Sequence, residues 1–344
     1  MMTNELANTI EKLATRGKGI LAADESIPTI TKRFEALGIE STEETRRQYR
    51  EVLITTPGCN QYLAGVILFE ETLNQSITNG APFAQSLMQM GIVPGIKVDK
   101  GLTPLAYTNQ ENITQGLDGL AERLAGYFDK GARFAKWRAV YNISNQTPTQ
   151  LAIDTNAEVL ARYAAICQTQ GLVPIVEPEV LIDGDHTIER CEAVTEPVLQ
   201  AVFQALFRHR VRLEYMVLKP SMVINGKNCA QQASPSAVAE ATIRVFKRTV
   251  PAAVPTINFL SGGQSPTQAT ANLNAMNRLN PLPWNVSFSY ARALQDDCMK
   301  TWLGQTKNVA TAQKEFFKRA KLNSLAATGN YSEELEKEPI SFAA

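Results

Sequence analysis

Eight short apolar segments recur along the chain, and stretches with the periodicity of amphipathic helices separate them. A short apolar run bounded by turn residues is typical of a strand that is buried on both faces. These segments occupy residues 19–24, 63–69, 94–99, 132–141, 173–180, 215–222, 256–260 and 284–290. Strands that alternate with helices in this way predict βαβ units and a parallel sheet.

The number of strands helps to decide between two parallel architectures. Eight βαβ units favour a closed (β/α)8 barrel, although a doubly wound open sheet shares the alternation. Neither GxGxxG nor GxxxxGK[ST] follows the first strand, which weakens the nucleotide-binding alternative. We therefore predict an α/β protein with a (β/α)8 TIM barrel, a parallel closed sheet, followed by a C-terminal tail.

Several of the intervening helices are marked by their terminal residues. Residues 41–44 fit a capping box, in which the Ser41 hydroxyl and the Glu44 carboxylate satisfy backbone N–H groups. The helix that follows is expected over 45–54. Further helices are predicted over 156–169, which Gly171 ends, and over 196–208 and 236–247.

The character of the chain changes near residue 303. Residues 1–303, including an N-terminal helix, are predicted to form one catalytic barrel domain, since no linker or low-complexity segment interrupts them. Residues 304–344 are predicted to form a polar helix through Lys318 and Lys321 and then a mobile tail, because this end is charged and weakly patterned.

Composition limits the class of partner. The 34 Lys and Arg residues balance the 34 Asp and Glu residues, so no net charge attracts nucleic acid or an anionic membrane surface. The apolar segments are shorter than the roughly 20 residues of a membrane span, and the first residues lack the pattern of a secretory signal. Five scattered cysteines without a CxxC pair indicate free thiols in a reducing compartment, so we expect a cytoplasmic protein.

Only two histidines are present, and they form neither an HxH nor an HxxxH arrangement. A zinc site based on histidine is therefore not expected, because such sites gather several imidazole or thiolate ligands. We expect neither a metal nor a cofactor.

A lysine ends one of the predicted buried strands. Lys219 follows the run Tyr-Met-Val-Leu at 215–218. Burial lowers the pKa of a lysine, and a neutral amine attacks carbonyl groups. A lone lysine in this position more often extends its head to solvent or pairs with a carboxylate. The residues at the other strand ends decide between these two interpretations.

Barrel enzymes carry their reactive groups at the C-terminal ends of the strands. By that rule, the predicted strands bring both lysines and carboxylates to one mouth of the barrel. The charged residues in question are Asp24, Lys97, Lys136, Arg138, Glu177, Glu179 and Lys219. A network of this kind shifts pKa values and favours the catalytic interpretation of Lys219.

Two further groups of residues suit phosphate. The Ser-Gly-Gly turn at 261–263 gives backbone N–H groups access to an oxyanion, and Arg292 ends the next strand, where barrels commonly bind phosphate. Lys97, Arg138 and Arg33 form a second cationic group. Two phosphate sites imply a bisphosphate substrate.

Several ordered motifs give the chain a resemblance to a known family. They are Gly-Ile-Leu-Ala-Ala-Asp-Glu-Ser (19–26), Gly-Ile-Lys-Val-Asp-Lys-Gly (95–101), Phe-Ala-Lys-Trp-Arg (134–138), Ile-Val-Glu-Pro-Glu (175–179), Leu-Lys-Pro (218–220), Phe-Leu-Ser-Gly-Gly-Gln-Ser (259–265) and Ser-Phe-Ser-Tyr-Ala-Arg-Ala-Leu-Gln (287–295). From Gly17 to about Leu303, the chain resembles the class I, Schiff-base-forming fructose-1,6-bisphosphate aldolases.

The resemblance implies a lyase that reversibly cleaves D-fructose 1,6-bisphosphate to glycerone phosphate and D-glyceraldehyde 3-phosphate. Such an enzyme serves glycolysis, gluconeogenesis or a carbon-fixation cycle. No metal is needed, because a protonated imine takes up the electrons of the C3–C4 bond. The oligomer that the resemblance implies is a homotetramer.

The resemblance also assigns roles to residues. It implies Lys219 as the Schiff-base lysine, Glu177 as the general acid/base, and Asp24, with Lys136 beside it, at the C4 hydroxyl. The other substrate-binding residues that it implies are Ser261, Gly262, Gly263 and Arg292 for the C1 phosphate, Ser26, Arg33, Lys97 and Arg138 for the C6 phosphate, and Glu179 and Ser289.

Three departures from the family pattern concern the site. Residues 27–29 are Ile-Pro-Thr where the family commonly has Thr-Gly-Ser, so we expect a different loop and altered affinity for the C6 phosphate. Ala291 replaces a common glycine and is expected to crowd the C1 phosphate. The chain ends Phe-Ala-Ala instead of in the tyrosine that assists proton exchange in well-known members, and Tyr331 is not an aligned substitute.

Three alternatives compete with cleavage of fructose 1,6-bisphosphate. Sedoheptulose 1,7-bisphosphate is a second candidate substrate for the same chemistry. A transaldolase-like dihydroxyacetone transferase also uses a barrel lysine, but it needs no C1-phosphate site. A non-enzymatic scaffold would leave the charged mouth without a purpose.

Overall fold

Eight parallel strands form the closed barrel that the apolar segments predict. The structure, a computed structural model, describes residues 2–279, 281–339 and 342. In chain order the strands are β1 (Gly19–Ala23), β2 (Leu63–Leu68), β3 (Val93–Lys97), β4 (Leu102–Pro104), β5 (Asn112–Thr114), β6 (Phe134–Tyr141), β7 (Val173–Val180), β8 (Val217–Leu218), β9 (Thr256–Phe259) and β10 (Asn285–Tyr290). Strands β4 and β5 form a separate antiparallel hairpin, and pairing of β1 with β10 closes the barrel. The predicted (β/α)8 TIM barrel is thus confirmed.

Helices connect successive strands. In chain order they are α1 (Met2–Leu13), α2 (Ile27–Glu35), α3 (Glu43–Ile54), α4 (Glu70–Leu73), α5 (Phe83–Gln89), α6 (Leu120–Asp129), α7 (Gln150–Thr169), α8 (Ile188–Arg208), α9 (Pro235–Thr249), α10 (Pro266–Asn277), α11 (Arg292–Trp302) and α12 (Val309–Ala326). Within the part of the chain that the structure describes, no helix is both long and apolar enough to cross a membrane.

Hydroxyl side chains begin four of the long helices. The oxygens of Thr149, Thr187, Ser234 and Ser265 each accept a backbone N–H in the first turn of α7, α8, α9 and α10. These caps satisfy N–H groups that have no partner inside the helix. The helices predicted over 156–169, 196–208 and 236–247 are confirmed, and each begins earlier than expected, directly after its capping residue.

The capping box of α3 lies one residue later than the sequence predicts. Thr42 caps the helix: its Oγ1 accepts the N–H of Thr45 at 3.1 Å, and Thr45 Oγ1 accepts the N–H of Thr42 at 2.8 Å. The Ser41 hydroxyl instead shares a hydrogen bond of 2.7 Å with Thr31 of α2, and Glu44 pairs with Arg47 of its own helix. The predicted Ser41–Glu44 box is therefore wrong, because both side chains have other partners.

Strand β8 is shorter than the strand predicted over 215–222. The preceding residues, Leu213–Tyr215, form a 3-10 turn, and Pro220 has no N–H to donate to a ladder. The N–H of Lys219 still donates to the carbonyl oxygen of Val176 on β7, at 2.9 Å. The backbone of this lysine is therefore fixed at the C-terminal end of the barrel.

The interior of the barrel is apolar at its N-terminal end. Leu6, Ile10 and Leu13 of α1 pack in one buried cluster with interior side chains that include Phe134 and Val217. A larger apolar cluster fills the space between the strands and the surrounding helices. Helix α1 thus completes the floor of the barrel, and the charged interior side chains lie toward the opposite end.

The segment after α12 contacts the body of the protein. Arg319 of α12 is almost fully buried, and its Nη1 donates to both carboxylate oxygens of Glu336 at 2.7 Å. The Tyr331 hydroxyl donates to the same carboxylate at 2.9 Å. The predicted division at residue 303 and the mobility of the tail stay predictions.

The fit of the barrel floor can be tested at Gly95. This glycine pairs with Phe134 on the neighbouring strand, and a Cβ added to Gly95 would lie 2.3 Å from ring carbons of Phe134. Because the fully buried Phe134 ring would have to shift, we expect Gly95→Ala to lower the free energy of unfolding by about 1–3 kcal/mol. Denaturant unfolding would measure the change.

Gly126→Ala on α6 is the matched control, since no atom outside the adjoining backbone of its own helix lies within 4 Å of the added Cβ. Alanine in a helix restricts the unfolded chain, so this variant should be at least as stable as the starting protein. Equal stability of both variants would contradict the close packing of Phe134 against Gly95.

Candidate active site

Four buried charged residues at the C-terminal end of the barrel form a continuous ionic chain. Asp24 follows β1, Lys136 lies on β6, Glu177 lies on β7, and Lys219 follows β8. Lys136 Nζ is 3.1 Å from Asp24 Oδ2 and 3.1 Å from Glu177 Oε2. Lys219 Nζ is 3.4 Å from the other oxygen of Glu177. Glu177 therefore lies between the two lysines, and all four predicted catalytic residues are brought together.

Burial lowers the pKa of the Lys219 amine below its ordinary value. Loss of hydration is the largest influence and lowers the pKa of its amine, and the charge of Lys136 lowers it further. The carboxylates of Glu177 and Asp24 act in the opposite direction without restoring the ordinary pKa. The amine can therefore lose its proton more easily than an exposed lysine.

For Lys136 and Asp24, the neighbouring charges together influence the pKa more than burial does. Burial lowers the pKa of Lys136, but Asp24 and Glu177 outweigh it and hold that pKa above its ordinary value. Burial raises the pKa of Asp24, but Lys136, Lys219 and Lys97 outweigh it and bring that pKa to about 2. Lys136 and Asp24 are therefore charged at neutral pH, beside an amine that is not firmly held in its charged form.

These residues line a cavity of about 560 Å³ at the C-terminal ends of the strands. Every site residue predicted from the sequence lines it, with the exception of Gly263. The predicted residues that do so are Asp24, Ser26, Arg33, Lys97, Lys136, Arg138, Glu177, Glu179, Lys219, Ser261, Gly262, Ser289 and Arg292. The sequence interpretation of the strand ends thus corresponds to one cavity.

The Ser-Gly-Gly turn lies beside Arg292. Gly262 and Gly263 have φ angles of +55° and +88°, which lie in the left-handed region that glycine adopts readily. A Cβ added to Gly263 would lie 3.4 Å from Nη2 of Arg292 and 3.1 Å from Cε of Lys227. Gly263 therefore shapes the turn and leaves space for two cations without lining the cavity. Lys227 was not identified from the sequence, since it belongs to none of the strand ends.

The second predicted cationic group is already neutralised by carboxylates. Lys97 Nζ lies 2.6 Å from Oδ1 of Asp99, and the Arg138 guanidinium is in direct contact with Glu179. Arg33, the third member, contacts Glu25 and Asp296. The cations at this end of the cavity are therefore held in defined positions by carboxylates.

Two cations that line the cavity are exposed and form no ion pair within the described parts of the chain. They are Arg292, which the sequence identified, and Lys32, which it did not. Lys32 directly precedes Arg33, so its position next to a predicted site residue was a usable signal. Asp296 could not be found in this way, because it is 263 residues from Arg33 along the chain.

The segment with Ile27 and Pro28 is the first turn of α2 and not a loop. Pro28 is compatible with this turn, where a backbone N–H has no partner inside the helix. The Ser26 hydroxyl caps no N–H group and shares a hydrogen bond of 3.0 Å with the Thr29 hydroxyl. The assignment of these residues to a loop is therefore wrong, whereas the altered affinity for the C6 phosphate stays a prediction. Ser26, Pro28 and Thr29 all line the cavity.

The other two departures have different outcomes. Ala291 lines the cavity next to Arg292, but the expected crowding of the C1 phosphate stays a prediction. Tyr331 is buried against Glu336 and does not line the cavity. Ala343 and Ala344, at the end of the chain, lie outside the described residues.

All five cysteines are free, and four of them are buried. Across residues 2–279 and 281–339, no group of three or more His, Cys, Asp or Glu side chains is arranged to hold a metal ion. The carboxylates of the cavity instead contact lysine and arginine side chains.

Comparison with known proteins places the chain in a family. The family model described as "Fructose-bisphosphate aldolase class-I" matches residues 5–342. A probable fructose-bisphosphate aldolase class 1 from Xanthomonas campestris is 54% identical over 332 residues, which are 96% of this chain and 99% of the relative. Fructose-bisphosphate aldolase 4, cytosolic, from Arabidopsis thaliana is 54% identical over 330 residues, which are 96% of this chain and 84% of the relative.

A solved structure agrees with these sequence matches. It is fructose-bisphosphate aldolase from Plasmodium falciparum in complex with TRAP and a small-molecule inhibitor, and it matches with a TM-score of 0.95 and 50% identity over 96% of each chain. Both the sequence and the fold therefore agree over nearly the whole length of the chain. The chain belongs to the class I fructose-bisphosphate aldolase family.

Proposed function

We propose that the chain cleaves D-fructose 1,6-bisphosphate reversibly to glycerone phosphate and D-glyceraldehyde 3-phosphate through a Schiff base on Lys219. One observation carries the proposal: the Lys219 amine has a lowered pKa and lies 3.4 Å from Glu177, inside the cavity that Arg292 and the Ser-Gly-Gly turn border. A nucleophile and a proton carrier in contact are what imine formation requires.

Imine formation begins when the Lys219 ammonium passes a proton to the Glu177 carboxylate, 3.4 Å away, and the neutral amine then attacks the C2 carbonyl carbon. Glu177 gives a proton to the carbonyl oxygen, which becomes the hydroxyl of a carbinolamine. A second proton lets that oxygen leave as water, and the C2–N bond becomes a protonated imine. Since Glu177 contacts Lys219 Nζ directly, it can also take up the proton that the attacking amine releases.

Cleavage of the C3–C4 bond uses Asp24 and Lys136, at the other end of the ionic chain. Asp24 accepts the proton of the C4 hydroxyl, the C4 aldehyde forms, and the bonding electrons move into the protonated imine to give an enamine. Asp24 is ready as an acceptor, because its pKa of about 2 keeps it ionised at neutral pH. Lys136, 3.1 Å away, holds the Asp24 carboxylate in place.

The two phosphates hold the sugar across this chain. We assign the C1 phosphate to Ser261, Gly262 and Arg292, whose N–H and guanidinium groups suit an oxyanion. The C6 phosphate is assigned to the opposite part of the cavity, where Ser26, Arg33, Lys97 and Arg138 lie, with Glu179 against Arg138. Gly263 supports the first site by leaving space beside Arg292, and Ser289 lines the cavity as a further substrate contact.

The proposal extends to the setting of the enzyme. A homotetramer is supported by the family membership, and a cytoplasmic location is supported by the free thiols and by the cytosolic plant relative. A reversible reaction of this kind operates in glycolysis, in gluconeogenesis or in a carbon-fixation cycle.

The Schiff base gives the first test. Borohydride added with fructose 1,6-bisphosphate should reduce the imine and leave a stable adduct on Lys219, which peptide mass spectrometry would locate. Lys219→Met should abolish both the adduct and turnover. Turnover should be unaffected by EDTA, and trapping should slow as the pH falls, because protonation removes the nucleophile.

Lys100→Met is the matched control, since Lys100 is exposed, pairs with Glu70 at 3.3 Å, and does not line the cavity. This variant should form the adduct as the unmodified protein does. An adduct on any lysine other than Lys219 would contradict the assignment of Lys219 as the Schiff-base lysine.

The depressed pKa of Asp24 predicts a pH dependence of stability. Its pKa is 3.8 in an ordinary environment and about 2 in the fold, so the ionised side chain stabilises the fold fully above about pH 4. As the pH falls toward 2, this contribution of about 2 kcal/mol should be lost. Unfolding of the unmodified protein and of Asp24→Asn should therefore differ most near neutral pH and converge in acid. A constant difference across this range would contradict the ionic chain.

Sedoheptulose 1,7-bisphosphate is a second candidate substrate, because it presents the same C1 phosphate, C2 carbonyl and C3–C4 bond. The cavity of about 560 Å³ is lined on its far side by both helix α2 and strand β6, which offer more than one position for a distant phosphate. We expect turnover of both sugars, and the ratio of their kcat/KM values would establish the preference. No turnover of the seven-carbon sugar would restrict the site to fructose 1,6-bisphosphate.

A further inference from the structure

Arg33 is held by two carboxylates from different parts of the fold. Its Nη1 contacts Glu25, which follows β1, and its Nη2 lies 3.0 Å from Oδ1 of Asp296 on α11. Nη1 is also 3.4 Å from Oε1 of Gln295. The guanidinium is largely buried, with 14% of the side chain exposed, yet it lines the substrate cavity.

Glu25 forms ion pairs with two arginines, so its charge is shared between Arg33 and a second guanidinium. Arg50 of α3 is almost fully buried, and its Nη2 lies 2.8 Å from Oε2 of Glu25. Two guanidinium groups thus face one carboxylate at this point. Asp296 pairs with Arg33 and not with Arg50. With Asp296 included, two carboxylates balance the two guanidinium groups.

Asp296 also lies on the helix that carries the other phosphate-binding cation. Helix α11 begins at Arg292, and Asp296 lies one turn further along it. The neighbouring Gln295 joins this turn of α11 to β1, since its Nε2 donates to the carbonyl oxygen of Ala22 at 2.6 Å. The Asp296–Arg33 contact therefore connects α2 to the helix that begins with Arg292.

We infer that Asp296 is a positioning residue that orients Arg33 toward the C6 phosphate of the substrate. Asp296 does not line the cavity itself, so it acts through Arg33. This inference rests on the proposed function, in which Arg33 belongs to the C6-phosphate site. A buried arginine with a fixed hydrogen-bond partner loses less conformational freedom when it binds a phosphate than a free one does.

Steady-state kinetics with two ketoses test the inference. Asp296→Ala should raise the KM for fructose 1,6-bisphosphate by roughly three- to tenfold with a much smaller change in kcat, because a charge-assisted hydrogen bond that orients a ligand is lost. The KM for a ketose phosphorylated only at C1 should not change, since that substrate has no group for Arg33. Asp296→Asn keeps an oxygen that can accept from Nη2 and should restore most of the affinity.

A double-mutant cycle shows whether Asp296 acts through Arg33. Arg33→Ala should itself raise the KM for the bisphosphate, and adding Asp296→Ala to it should have no further effect. Asp297→Ala is the control, since Asp297 is the next residue of α11 and makes no ion pair in the described structure. Melting temperatures of all variants separate a loss of folding from a loss of affinity.

Two results would overturn the inference. One is an equal rise of KM for both ketoses in Asp296→Ala, which would indicate a general effect on the fold. The other is an undiminished effect of Asp296→Ala when Arg33 is absent. Failure of the proposed function would be recognised separately, because the unmodified protein would then neither cleave the bisphosphate nor form the Lys219 adduct.

Discussion

The buried ionic chain from Asp24 through Lys136 and Glu177 to Lys219 is the interaction on which the rest of the site depends. Burial of a single charge in an apolar interior is costly, and alternating charges reduce that cost only when every contact is in place. Here the two lysines share Glu177, and Asp24 ends the chain on the side of Lys136. Removal of Lys136 would leave Asp24 without its partner, and removal of Glu177 would leave Lys219 without its partner.

The same arrangement gives the members different chemical states. Lys136 has two carboxylate neighbours at 3.1 Å and keeps its proton, whereas Lys219 has one, at 3.4 Å, and its pKa is lowered by burial. An unequal division of negative charge between two buried amines thus distinguishes a firmly charged ammonium from an amine that loses its proton more easily. The apolar floor that α1 completes supports this division, because it lies beneath the charged end of the barrel and makes the interior poor in polar groups.

The two ends of the cavity to which we assign the phosphates differ in how their cations are held. Arg292 is exposed and without an ion-pair partner among the described residues, so it is available to an incoming phosphate. Lys97, Arg138 and Arg33 are each in contact with a carboxylate before any substrate arrives. Under the proposed assignment, the C1 site therefore offers an unpaired cation, and the C6 site offers cations that carboxylates hold in position. A cation that is already paired is held in a defined position, whereas an unpaired cation attracts an approaching anion more strongly.

Much of the site could be predicted from the sequence, for a definite physical reason. A parallel barrel places the C-terminal ends of its strands at one mouth, so residues such as Glu177 and Lys219, 42 positions apart in the printed chain, must converge once the strands are recognised. Apolar runs identify those strands because burial on both faces demands them. By itself, therefore, the sequence determined the barrel, the charged mouth, and the motifs that the family comparison matches.

Only the tertiary structure decided which charges pair. The Arg33–Asp296 contact joins residues from the second and eleventh helices, and no periodicity or spacing connects them. The Thr42 cap was also misjudged, because the Ser41 hydroxyl is already engaged by Thr31 of another helix. The prediction of a loop at the first turn of α2 was wrong because a proline is compatible with both a loop and a first helical turn. Local patterns specify elements and their directions, whereas the partner of each buried charge depends on distances that exist only when the chain has folded.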